Sequence, residues 1–117
     1  MTNATLPPLP APILTEASKG TLYVSTIKDP TEAVVPPYAE ASAGDRVKLM
    51  LVVGDKQWEY LKALTSADLG KDIPFAIEKA HFEKGLSPAA DARLRYSVSK
   101  QGQVPAMSEE LKVAIVR

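Results

Sequence analysis

The chain has 117 residues, with 14 basic and 14 acidic side chains, one His and no Cys. A protein of this mass buries about two-thirds of the surface its unfolded chain exposes, which is enough for one core and too little for two independent ones. Zero formal net charge argues against a large electrostatic footprint for nucleic acid or anionic lipid, and the missing thiols exclude disulfides, thiolate nucleophiles and Cys-ligated zinc.

The apolar fraction of 45% and charged fraction of 24% are those of an ordinary folded domain, so wholesale disorder is excluded. The first fourteen residues, MTNATLPPLPAPIL, carry no Lys or Arg and lack the continuous apolar run of a secretory signal. No stretch approaches the length of a membrane-spanning helix, so no membrane insertion is expected. These features are compatible with a cytoplasmic chain, with export that uses no cleaved signal, or with a piece of a longer polypeptide. Pro7, Pro8, Pro10 and Pro12 favour extended polyproline-II backbone. Residues 1–10 therefore read as a stiff arm or spacer, and 11–117 as the folded domain. The arm also contains a PxxP match that an SH3-like groove could take, and Asn3 opens a formal glycosylation sequon.

Along the domain, alternation of apolar and polar residues is the dominant signal. Ile13-Leu14, Thr21-Leu22-Tyr23 and Val34-Val35 are short strand candidates, and Pro36-Pro37 assigns the last of these to a sheet edge. From Arg46, Val47, Leu49, Leu51 and Val53 share one face, with Lys48, Met50 and Val52 on the other. Gly54 to Gln57 reads as a hairpin loop and Trp58 to Ala63 as the returning strand. Trp58, Leu61 and Leu64 also fall at helical spacing, which would make the protein α+β. Ser66 to Gly70 has turn chemistry. Ile73, Phe75 and Ile77 alternate, and Glu78 to Gly85 suits about two turns of helix closed by the glycine. Leu94, Tyr96 and Val98 alternate with Arg93, Arg95, Ser97 and Ser99. After Gln101-Gly102, Leu111, Val113 and Ile115 repeat the pattern. Many short strands at this spacing predict an all-β, antiparallel sandwich of seven or more strands with one short helical connection.

The order of these segments carries a resemblance. Ala43–Leu49 reads A-G-D-R-V-K-L, Ser66–Ile77 reads S-A-D-L-G-K-D-I-P-F-A-I, Leu94–Val98 reads L-R-Y-S-V, and Ser108–Ile115 reads S-E-E-L-K-V-A-I. This resembles the immunoglobulin-like modules repeated in large bacterial surface and adhesin-type proteins. The resemblance implies an immunoglobulin-like β-sandwich and a non-enzymatic interaction or spacer module. It further implies an extracellular or cell-surface location, with similar modules as neighbours in a longer chain.

Candidate chemistry is sparse. His81 has no partner marked by spacing and reads as a solvated surface residue. Asp45, Asp55, Asp68, Asp72 and Asp91 fall in predicted loops, where carboxylates can hold Ca²⁺, but no D-x-D-x-D-G run occurs and each has a turn role available. No nucleotide or acyl-transfer motif is present, and neither a metal nor a cofactor is expected. Lys48, Arg93 and Arg95 are placed to pair with Glu59 or Glu78. Tyr96 suits either a corner lock or a core position.

Trp58 and Tyr60 point to the same face of their strand and are the candidate binding residues. Turned inward, Trp58 is the aromatic centre of the core. Turned outward, the pair forms a platform for a sugar ring or a protein partner. The readings that stay open are an interaction or spacer module, a carbohydrate-binding accessory module, and a small enzyme domain with an unrecognised site.

Overall fold

The computed structural model describes residues 9–38, 41–85, 90–100 and 105–116. Its strands are β1 (Ile13–Leu14), β2 (Thr21–Tyr23), β3 (Thr31–Val35), β4 (Arg46–Val53), β5 (Lys56–Ala63), β6 (Ile73–Ile77), β7 (Asp91–Ser99), β8 (Ala106–Met107) and β9 (Leu111–Val116). An α-helix, α1 (Lys79–Lys84), lies between β6 and β7 in the chain, and 3₁₀ turns occupy Val24–Thr26 and Ser66–Asp68. The predicted all-β sandwich with a short helical connection is what forms. Most of the proline arm and the Gln101-Gly102 turn lie outside the described residues.

Two sheets stack. The smaller has the order β1-β3-β6, and the larger runs β2-β9-β7-β4-β5, with β8 pairing to β7. All pairings are antiparallel except β2 with β9, where Thr21, Leu22 and Tyr23 run parallel to Ala114, Ile115 and Val116. The period-two pattern decides which face each strand buries. Leu14, Ala33, Val35, Ile73, Phe75 and Ile77 of the small sheet meet Val47, Leu49, Leu51, Val53, Leu94, Tyr96, Val98, Val113 and Ile115 of the large one in one core. Phe82 of α1 is fully buried and plugs that core at the β6–β7 end.

Two details differ from expectation. The segment Val34-Val35 is in β3, the central strand of the small sheet, because the strand stops at Val35, one residue before the prolines. The hairpin loop is two residues, not four: Val53 pairs with Lys56 across Gly54-Asp55, and Gly54 takes the positive φ of +59° that a tight loop requires. Trp58 to Ala63 forms the expected returning strand rather than the helical alternative, since pairing of all eight β5 residues with β4 outweighs the local spacing.

Leu9, assigned by sequence to the arm, joins the sandwich. Its N–H donates to Met107 O at 3.0 Å and its carbonyl accepts from Glu109 N at 2.9 Å, a further parallel bridge alongside β2–β9.

Candidate functional site

The β4–β5 register places Leu51 opposite Trp58 and Leu49 opposite Tyr60, so both aromatics lie on the core side of the larger sheet. However, β5 is the outermost strand, and the core stops beneath it. Trp58 and Tyr60 are accordingly half-buried, packed against the core's rim. The sequence alternatives of core or open platform resolve into neither extreme.

What covers the rim is α1. The Lys79 N–H donates to Asp29 Oδ1 at 3.2 Å, which fixes the helix start, and Phe82 anchors it from below. Gly85, just beyond the last turn, sits so close to the β4–β5 hairpin that a Cβ there would lie 2.4 Å from Val53 O. Held at both ends, the helix lays His81 on Trp58, with ring centroids 4.3 Å apart and planes inclined by 16°. The Tyr60 ring is 6.0 Å from the imidazole, and its hydroxyl hydrogen-bonds His81 Nδ1. Burial, reinforced by the Glu78 carboxylate, pushes the Tyr60 phenol up to about 12. The other ring nitrogen, His81 Nε2, lies 3.8 Å from Glu78 Oε2.

The sequence reading of His81 as a solvated residue is therefore corrected: its side chain is 15% exposed and partnered on three sides by Trp58, Tyr60 and Glu78. Periodicity could not reveal this, because the contact joins a strand edge to a crossover helix more than twenty residues away. One signal was present: Phe82 had to face inward, which turns its neighbour His81 toward the flank. For Trp58 the consequence is direct. One of its faces is already occupied, so Trp58 and Tyr60 are not two adjacent open rings.

A second cluster closes the opposite end of β4. Asp45 is buried, and its Oδ2 accepts from Tyr38 Oη at 2.7 Å, Ser42 N at 3.0 Å and Lys100 Nζ at 2.8 Å. Burial raises the Asp45 pKa, but those three donors outweigh it and hold the carboxyl below its ordinary value. Asp68, another loop carboxylate, caps its own 3₁₀ turn through Thr65 N at 2.8 Å. Asp91 belongs to β7 and faces Arg93 at 3.3 Å and Lys112 at 3.5 Å. Among the described residues no three acidic or imidazole side chains gather as a metal site.

On the outer face of the large sheet, Lys48 pairs with Glu59 at 3.8 Å as the sequence suggested, whereas Arg95 pairs with Glu110 at 3.1 Å. These exposed pairs are worth under about 1 kcal/mol each and set surface charge more than stability. Tyr96 is fully buried, and its hydroxyl has no hydrogen-bond partner among the described residues, so it forms no corner lock. Comparison with protein families, curated proteins and solved structures finds no match for the chain.

Proposed function

We propose that this domain is a non-enzymatic spacer and interaction module, immunoglobulin-like in topology, of the kind repeated in bacterial surface and adhesin-type proteins. The observation that supports it is the parallel pairing of the two ends of the fold. Leu9 bridges to Ser108, and Thr21–Tyr23 run parallel to Ala114–Val116. When the ends of such a pair are drawn apart, the strands slide along each other. The load falls on all their hydrogen bonds at once rather than on one bond at a time. A module that transmits tension along a chain needs that geometry.

The clusters described above fit a scaffold role. Tyr38–Asp45–Lys100 ties the entry of β4 to the exit of β7, and Trp58–His81 clamps the crossover helix to the sheet edge. The test is single-molecule extension of the domain held by its two ends. One brittle, cooperative unfolding event is expected. Gradual lengthening at low force would end the spacer reading.

A further inference from the structure

Among the described residues the two sheet orders end in β1 and β6, and in β2 and β5, and three of these edge strands are blunted. β1 is two residues long, β2 is three, and β6 carries Pro74. β5 is different: eight residues, no proline or glycine, and unbroken register against β4 from Lys56 to Ala63. A long, regular edge strand presents unpaired backbone groups to any strand that approaches, and proteins normally interrupt such edges.

The hairpin fixes which groups are free. In a two-residue loop the closing pair, here Val53 and Lys56, exchanges both backbone hydrogen bonds. Even-numbered residues of β5 therefore bond to β4, and Leu64 N donating to Asp45 O at 2.8 Å continues that parity at the far end. Gln57, Glu59, Leu61 and Ala63 thus turn their N–H and C=O groups outward. Their side chains lie on the sheet's outer face, where Leu61 is 74% exposed. Trp58, Tyr60 and Lys62 lie on the other face, along the core's rim beside α1.

We propose that β5 pairs with β5 of a second copy of this chain, antiparallel, about a two-fold axis at Tyr60. Backbone parity allows only registers that match odd residues with odd. Two of these overlap by seven residues. Centred on Glu59, the pairing sets Glu59 against its own copy and Lys56 against Lys62, so like charges meet at every charged position. Centred on Tyr60, it sets Glu59 opposite Leu61, Gln57 opposite Ala63 and Trp58 opposite Lys62, and no like charges meet. Opposed strands of this kind gain from aromatic and cation–aromatic neighbours. The second copy also covers the half-buried rings of Trp58 and Tyr60, and each Leu61 meets its copy on the diagonal. Of the two registers open to a second copy, the charge pattern selects this one, and that copy is the occupant we assign. Lys62, a cation on the rim face, guards the edge in the monomer and gains the partner's Trp58 in the dimer. This inference stands independently of the spacer reading.

The test is sedimentation analysis across a range of concentrations, with amide hydrogen exchange on the same samples. The mass should rise from 12.6 kDa toward about twice that value. The amides of Gln57, Glu59, Leu61 and Ala63 should gain protection with it, while those of Trp58, Tyr60 and Lys62 stay protected throughout. Leu61→Glu places a carboxylate opposite Glu59 of the other copy and should return the mass to that of the monomer. Because Leu61 is exposed, this variant should keep the parent's circular dichroism. Adding Glu59→Lys should restore the dimer, since opposite charges then face each other. A chain that stays monomeric at millimolar concentration overturns the proposal, as does a dimer indifferent to Leu61→Glu, or one lost to Leu61→Glu and not recovered by Glu59→Lys. None of these outcomes bears on how the monomer carries load.

Discussion

Replacing Asp45 by Ala removes the one acceptor shared by Tyr38 Oη, Ser42 N and Lys100 Nζ, all within 3.0 Å of Oδ2. A hydrogen bond to a charged group is worth roughly 1.5–3 kcal/mol net, and a buried donor left unpaired costs about 1–3 kcal/mol. Ser42 is exposed and Lys100 is 26% exposed, so both recover part of their loss in water, whereas the half-buried Tyr38 hydroxyl recovers less. The sum comes to about 3–4 kcal/mol, a large fraction of the stability of any small domain. Asp45→Asn keeps an acceptor and loses the charge, so it should cost about half as much. Urea titrations followed by Trp58 fluorescence at pH 7 would show a lower midpoint with an unchanged slope. The pH dependence carries its own sign. The folded pKa of Asp45 lies below its unfolded value of about 3.9, so its contribution is complete above that pH and is lost as pH falls through the depressed value. The gap between parent and variants should narrow as the solution is acidified through that depressed value. A parent–Ala gap under ~0.5 kcal/mol at neutral pH, or one that does not narrow in acid, would refute this account.

Leu49→Ala should cost roughly 3–5 kcal/mol and Lys48→Ala less than about 0.5, because Leu49 is fully buried while Lys48 makes only an exposed 3.8 Å pair; equal midpoints in denaturant would contradict the strand's facing. Gly85→Ala should destabilise by about 1–3 kcal/mol, since its Cβ would fall 2.5 Å from Val53 Cγ1; a variant melting with the parent would mean the helix end can draw back. Tyr96→Phe deletes a buried hydroxyl that lacks a partner among the described residues and should leave stability unchanged or raise it by about 1 kcal/mol, as read from the thermal midpoint. In alkali, Tyr60 and Tyr96 are both pushed up to about 12 by burial, so the fold favours their neutral forms. Stability should hold up to the ordinary phenol value near 10 and fall from there toward 12, and a domain equally stable across that window would count against their burial.

The large sheet was legible in the sequence because its inner strands are buried on one face only. Val47, Leu49, Leu51 and Val53 alternate with Lys48, Met50 and Val52, and that alternation is the physical imprint of a half-solvated strand. The helix over Lys79–Lys84 was legible from Gly85, although the reason for that glycine is close approach to Val53 rather than a left-handed cap. Central placement of β3 was not legible, since the prolines that mark it lie one residue beyond its end. Nor was the Trp58–His81 contact, which depends on the angle at which a crossover helix meets an edge strand. Alternation says which face a side chain takes. It does not say whether the core extends beneath that face, and for Trp58 and Tyr60 the core stops there.

The central claim, that this fold is arranged to bear tension between its ends, is tested most directly by comparing two pulling directions. The chain has no Cys, so anchors can be introduced at Ala43 and Ser66, two exposed residues flanking the β4–β5 hairpin, without competing thiols. Pulled there, the hairpin opens from Arg46–Ala63 inward, one rung at a time. Pulled from the two ends of the domain, the Leu9–Ser108 bridge and the β2–β9 ladder are loaded in shear together. The account predicts that unfolding from the ends requires a several-fold higher force than unfolding from Ala43 and Ser66. Equal forces in the two directions, or a lower force from the ends, would contradict it.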